Sequence, residues 1–367
     1  MAGALQKTGF ALLGLLLLVL TAAGQIKLGD LTTDMNGTLS AGYNGTYGNQ
    51  IGSDHSLAVG GAGTLSGSYY NPNFLSFMVS PYLNQARDNS AYQSISNSSG
   101  VSFTSSIFGG SHFPGSINYA KAYDSEGNFA IPGVANYTTH GNSDTLGVSW
   151  AEMVPGLPSL SASFQTGSNQ YSIYGSNDTG SSDNHSFNLR SGYLLRGFNM
   201  SAYFGDGSGH SDIPQVLQGS AGSETATSSN RSYGFSVGHA LPFHGGVAGN
   251  FNSSEYDSEF EGNSSSGTVD TYNATASFQP TNKLYVSFST DYSTNLAGSL
   301  YQAVAGTGGV VQAPDLGQAS HSMDVLANAS YALLPNMQAL AFADHREQYF
   351  LGESFSANSY EIGRAHV

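Results

Sequence analysis

Hydrophobic and polar residues alternate along this chain with a period of two. In DTYNATASFQPTNKLYVSFSTDYS, residues 270–293, Tyr272, Ala274, Ala276 and Phe278 form one apolar set before the central PTNK. Leu284, Val286, Phe288 and Tyr292 form another after it. Asn273, Thr275, Ser277 and Gln279, then Tyr285, Ser287, Ser289 and Asp291, fill the alternate positions. A two-residue period marks strands with two unlike faces, and Pro280 and Asn282 suit a tight turn. The segment therefore predicts a β-hairpin, greasy on one face and hydroxyl-rich on the other.

Further hairpins turn at Pro72, Pro114, Gly156, Arg196, Phe243, Thr281 and Pro335, spaced by 42, 42, 40, 47, 38 and 54 residues. Between them lie stretches rich in Gly, Ser, Asn and Asp, such as 205–230 and 295–320. The pattern predicts strands of about 9–12 residues, short connections at one end and long ones at the other, as in a transmembrane barrel. A propeller repeats at a similar interval but puts four strands in each blade. A Greek-key sandwich has no reason to segregate connection lengths. Counted from residue 35, fifteen strands precede the last residues, and an even number calls for at least sixteen. The expected fold is all-β, an antiparallel up-and-down transmembrane β-barrel.

The two ends refine this picture. Lys7, the apolar run Phe10 to Leu20, and small residues Ala22 and Gly24 ahead of Gln25 make a tripartite export signal over 1–24. Residues 25–34 are expected as a short periplasmic segment, too short for a plug, and 35–360 as the barrel. No second such run follows residue 25, so a membrane span here is built of strands. The closing EIGRAHV, 361–367, resembles the translation of a sequencing adapter. It is expected to be foreign, the natural protein being longer and its barrel incomplete here.

Composition excludes several classes. Without cysteine there is no disulfide framework, thiolate metal site or lipoprotein acylation. Charged residues are 10% of the chain, against about 25% in ordinary soluble domains. The net charge of −15 argues against nucleic acid as a partner. Tyr69, Tyr70 and Phe74, Tyr193 and Phe198, and Phe278 and Tyr285 flank turns, while Tyr233, Phe251, Tyr272 and Tyr292 sit near opposite strand ends. Two aromatic belts are what a barrel presents to lipid headgroups.

With YYNPNFLSF, GGSHFPGSINY and TLGVSWAEMVPGLPSLSASF, the architecture over residues 30 to 350 resembles the bacterial outer-membrane β-barrels of the porin-like group, as an uncharacterised family. The resemblance implies residence in the outer membrane, contact with its lipid and lipopolysaccharide, delivery by the barrel-assembly machinery, and compatibility with a homo-oligomer. It carries over no catalytic or selectivity residue.

Candidate chemistry is sparse. GFSVG, Gly234 to Gly238, matches a nucleophile elbow in letters but sits in a strand pattern instead of a strand–turn–helix. None of His185, His210, His239, His244 and His345 is matched with a serine in the sequence, so the chain is expected not to be an enzyme. Sequons at Asn36, Asn44, Asn136, Asn273 and Asn328 follow from composition. Glu255, Asp257, Glu259 and Glu261 alternate, so an extended chain aligns four carboxylates that suit a divalent cation; a solvated acidic loop is the commoner outcome. No cofactor is expected. Parity places Asn188, Arg190, Asn273, Thr275, Ser287, Asp291, Asp324 and Asn328 on the inward face, a weakly charged wall suited to cations or neutral solutes. A passive pore is the leading expectation, and a plugged or scaffolding barrel in a secretion or surface complex the competing one.

Overall fold

The computed structural model describes residues 20–46, 54–88, 95–130, 136–173, 178–214, 223–242, 244–260, 262–295, 320–334, 337–350 and 352–366. Its strands are β1 (Leu20–Leu28), β2 (Leu31–Thr46), β3 (Asp54–Tyr69), β4 (Leu75–Asp88), β5 (Ile95–Ile107), β6 (Gly115–Ala130), β7 (Asn136–Glu152), β8 (Ser159–Ile173) and β9 (Thr179–Leu195). They continue with β10 (Phe198–Pro214), β11 (Ser223–Leu241), β12 (Gly245–Phe260), β13 (Asn263–Thr281), β14 (Leu284–Thr294), β15 (His321–Leu334), β16 (Met337–Phe350) and β17 (Glu353–His366). All seventeen belong to one antiparallel, up-and-down sheet.

The expected fifteen strands correspond to β2 through β16. The count rises to seventeen because both flanks are extended too. LTAAGQIKL pairs along β2 from Leu20↔Leu39 to Leu28↔Leu31. ESFSANSYEIGRAH pairs along β16 from Phe350↔Glu353 to Met337↔His366. Residues 25–28 thus lie in β1 and 31–34 in β2, while 361–366 lie in β17. Residues 1–19, most of the expected export signal, fall outside the described residues.

Two expectations about strands and connections are corrected. Most strands run 13–19 residues, longer than expected; β1 and β14, at 9 and 11, are the short ones. Connection lengths are not strictly segregated either, since two residues separate β12 from β13 and two separate β16 from β17. The cause is one and the same. Gly-, Ser- and Asn-rich segments read as loops continue the ladders, because backbone pairing needs no apolar side chain. The stretch 205–230 is mostly β10 and β11, leaving only 215–222 outside the described residues. Of 295–320, residues 296–319 lie outside them.

The chain divides into two compact units. The first comprises residues 1–149, 165–183 and 214–221. Its ladders place Met35, Leu65, Val79, Phe103 and Tyr119 in one row across β2 to β6. Asp34, Ser66, Met78, Thr104 and Asn118 form the row beside it on the opposite face. Apart from Met78 the alternation is clean. The turn between β3 and β4 is fixed by Asn71, whose Oδ1 accepts from Phe74 N at 2.9 Å. On the apolar face Lys121 and Asp144 meet at 3.2 Å beside Tyr119, Lys121 also lying over the Tyr123 ring.

The second unit comprises 150–164, 184–213 and 222–367. The hairpin of 270–293 forms as expected: Tyr272↔Tyr292, Ala276↔Phe288 and Phe278↔Val286 share one face, and Asn273↔Asp291 and Ser277↔Ser287 the other. The ladder shifts between Phe278 and Thr281, where Pro280 has no N–H to donate. Thr281 Oγ1 then accepts from Lys283 N and Leu284 N, closing the turn. The β9–β10 turn is Arg196–Gly197, both with positive φ (50° and 86°), the geometry whose twist matches a two-residue hairpin.

Glycine has a use that composition did not reveal. Tyr203 lies across Gly234 on β11, where a Cβ would sit 2.4 Å from the ring, and its hydroxyl donates to Asn252 Oδ1 on β12. Phe77 over Gly67, Tyr82 over Gly100, Tyr171 over Gly180 and Tyr256 over Gly267 repeat the arrangement. A ring laid on a neighbouring glycine shields backbone that a side chain would otherwise cover.

Among the described residues the fully buried apolar side chains are Ile173, Tyr256 and Val269 alone, while Leu39 is 60% exposed and Met35 50%. Among the described residues, large apolar side chains such as Leu57, Tyr272 and Leu340 are likewise exposed.

Candidate functional site: the polar face of the second unit

The ladders bring Asn250 (β12), Asn273 (β13), Asp291 (β14), Asp324 (β15) and Arg346 (β16) into one cross-strand row. Asn273 Nδ2 donates to Asp291 Oδ1. Arg346 Nε and Nη2 lie 3.0 and 2.9 Å from Asp324 Oδ2, and Nη2 is 3.9 Å from Asp344. Asp291 and Asp324 stand directly opposite each other, an unfavourable pairing of like charges unless neutralised. Arg346 supplies that neutralisation to Asp324. The row borders a cavity of about 580 Å³ whose wall includes Thr271, Ser293, Ser322 and Gln348.

Of the eight residues placed inward from the sequence, six are neighbours on β13, β14 and β15. Ser287 faces Ser277 and Asn328, and Thr275 faces Ser289. Asn188 and Arg190 share the β9 strand, with Asn188 Oδ1 near Gly205 on β10. Arg346 was missed. Its strand carries Leu340 and Phe342 at the same parity, which hides the polar face, and only Asp344, Arg346 and Gln348 hint at it.

At the same level on the opposite face runs an aromatic row. Tyr233, Phe251, Tyr272, Tyr292, His321 and Tyr349 follow one another across β11 to β16, with successive ring centroids 4.9–6.1 Å apart. The four tyrosine and phenylalanine positions expected near strand ends are joined in this row, but Tyr233, Phe251 and Tyr272 lie well inside β11, β12 and β13 because those strands run on past them; His321 and Tyr349 extend the series. Near a turn of the first unit, Phe74 packs against Tyr69, Tyr70 and Phe108.

The carboxylates Glu255, Asp257 and Glu259 do share one face of β12, past the aromatic row; Glu261 lies outside the described residues. Glu255 is 3.9 Å from Arg231, which Asp206 holds from the other side at 3.1 Å. The acidic stretch is therefore part of a paired strand surface, not a loop. Among the described residues no group of three or more His, Asp or Glu side chains is arranged to hold a metal.

The histidines also find partners. Ser208 Oγ lies 3.0 Å from His185 Nε2 and 3.2 Å from its Nδ1, across β9 and β10. The pair was invisible because its members are 23 residues apart and meet only through the ladder. His210 is 3.7 Å from Asp212, His239 stacks on Phe198 at 4.0 Å, and His345 Nδ1 is 2.7 Å from Asn358 Oδ1. His244 occupies the β11–β12 turn with φ 52°. GFSVG is strand, as its context implied, with Ser236 Oγ 2.7 Å from Ser201 Oγ.

No family model and no curated protein matches the chain. Among solved structures it is similar to outer-membrane expressed OmpT of Vibrio cholerae, at 9% identity and TM-score 0.32, covering 94% of this chain and 99% of that one. The in-vitro folded trimer form of OmpT gives 10% identity and TM-score 0.32, over 92% and 99%. BamA from Haemophilus ducreyi lacking POTRA domains 1–3 gives 11% identity and TM-score 0.35, over 94% and 75%. The expectation that the chain is not an enzyme rested on no histidine meeting a serine; with Ser208 Oγ 3.0 Å from His185 Nε2 that ground fails, and the expectation is withdrawn. The chain is all-β, with an up-and-down antiparallel strand order.

Proposed function

We propose that this protein is an outer-membrane β-barrel that works as a passive diffusion pore for small hydrophilic solutes, preferring cations or neutral molecules over anions. The observation that carries the reading is the pairing of an exposed apolar face with a polar one at adjacent strand positions, Tyr272 against Asn273 and Met35 against Asp34. An apolar surface of this extent has to meet lipid or a partner, and a closed strand wall satisfies every backbone group inside a bilayer. The aromatic row suits the headgroup level. Three carboxylates to one guanidinium around Asp291, together with the net charge of −15, favour cations.

In this reading residues 1–24 are removed on export. Cleavage takes Leu20–Gly24 out of β1 and leaves Gln25–Leu28 ahead of β2. Residues 361–367 are a foreign tail. Glu255, Asp257 and Glu259 face the lipopolysaccharide side, assembly depends on the barrel-assembly machinery, and homo-oligomers are compatible with the apolar face.

The test is single-channel conductance of the protein refolded into planar bilayers, in the presence of a KCl gradient. Steady steps with cation-selective reversal potentials are expected. A folded, heat-modifiable protein that never conducts would overturn the pore and leave a plugged or scaffolding barrel.

A further inference from the structure

The cavity on the polar face of the second unit holds an asymmetry that its residue types alone do not suggest. Two carboxylates directly opposite each other on β14 and β15 are a ready pair of ligands for a divalent cation. Here one of them is already occupied. Asp324 takes two contacts from Arg346, at 2.9 and 3.0 Å, whereas Asp291 receives a hydrogen bond from the neutral Asn273 amide. Among the described residues no lysine or arginine lies within 4 Å of Asp291. Arg346 is in turn shared between Asp324 and Asp344, so it offers little net positive charge to an anion.

We infer that this cavity is a binding station for small solutes carrying a single ammonium group, and that Arg346, by holding Asp324, keeps it from closing around a divalent cation. The inference deepens the pore reading, which is what places the cavity in a lumen. An ammonium group directs up to three N–H donors, and beside Asp291 on the same face the wall carries the hydroxyl residues Ser293 and Thr271, which pair with each other across β13 and β14. A volume of about 580 Å³ accommodates a small polar molecule together with water. The guanidinium two strands away opposes a second positive charge, which favours monocations over dications.

The test uses the full chain folded in detergent micelles and ethanolammonium as the probe, with ethylene glycol as its neutral counterpart. Binding is read by ligand-observed NMR. The wild type should bind ethanolammonium and not ethylene glycol, Asp291→Asn should weaken binding by about tenfold or more, since a charge-assisted bond becomes a neutral one, and Asp291→Glu should keep most of it. Arg346→Gln should gain calcium binding, read by calorimetry, that the wild type lacks. Heat-modifiable migration checks the fold of each variant. If Asp291→Asn does not fold, the comparison of Asp291→Glu with Asp291→Ser replaces it.

Equal binding by the wild type and Asp291→Asn, or no binding by the wild type, overturns the ammonium site. Arg346→Gln without calcium binding overturns the role given to Arg346. Conductance separates this inference from the one beneath it. A conducting protein whose binding ignores Asp291 keeps the pore and loses the station. A non-conducting protein whose binding depends on Asp291 keeps the station and loses the pore.

Discussion

At the scale of single residues, the glycines decide more than their number suggests. Gly234 is where the Tyr203 ring crosses β11 to reach Asn252, and a Cβ there would meet the ring at 2.4 Å and the Phe251 carbonyl at 2.8 Å. Gly234→Ala should destabilise the folded protein by about 1–3 kcal/mol through overpacking, read as a lower urea midpoint of protein refolded in vesicles. Gly249, on the next strand, meets nothing closer than 3.7 Å, so Gly249→Ala should leave the midpoint nearly unchanged. Equal effects would mean that glycine is tolerated here for strand flexibility and not for ring contact. None of this was legible in the sequence, where the glycines read as loop composition. The partner ring lies on another strand, and only the ladder says which glycine it covers.

At the scale of elements, the alternation set each strand's faces and left the register to be found. The hairpin 270–293 formed with the faces its sequence implied, because a one-residue slip would move every apolar side chain to the polar side. Register has a direct chemical test in a chain without cysteine. Ser277→Cys with Ser287→Cys places two thiols at directly opposed positions, which should oxidise to an intrachain disulfide, while Ser277→Cys with Ser289→Cys should cross-link far less. The reverse order of yields would show a shifted ladder. The aromatic row is testable in the same terms. Tyr272 touches Phe251 at 4.9 Å and Tyr292 at 6.1 Å, and each such pair contributes about 0.5–1.5 kcal/mol beyond area. Tyr272→Ala should therefore cost about 1–3 kcal/mol in the same unfolding assay, and Tyr272→Phe much less. Strand ends were harder to read than faces. Polar stretches such as 205–214 continue the ladders without any change of composition to mark where pairing stops.

At the scale of the whole molecule, the question is what covers the apolar face. If it meets lipid, a charge placed there is expensive, whereas the same charge one residue on costs little. Met35→Arg should cost about 2–4 kcal/mol, the penalty of a cation on a lipid-facing strand near mid-depth, and should strongly reduce insertion into vesicles. Asn36→Arg, on the polar face, should fold nearly as the wild type does. In a water-soluble protein both would be exposed surface changes within about 0.5 kcal/mol, so matching behaviour would remove the membrane from the account.

The order of apolar and polar residues over two to ten positions was enough for the all-β class, the faces of the 270–293 hairpin and the connections near Pro72, Gly156, Arg196 and Thr281, while the turn positions Phe243 and Pro335 lie outside the described residues. It also put Asn273, Asp291, Asp324 and Asn328 on one face, which follows from parity alone. Tertiary structure decided what depends on residues far apart in the chain. It extended the ladder at both flanks to seventeen strands and chained four aromatics to His321 and Tyr349. It set Ser208 beside His185 and gave Asp324, but not Asp291, an arginine. Alternation tells which way a side chain points; only the register of neighbouring strands tells what it meets there.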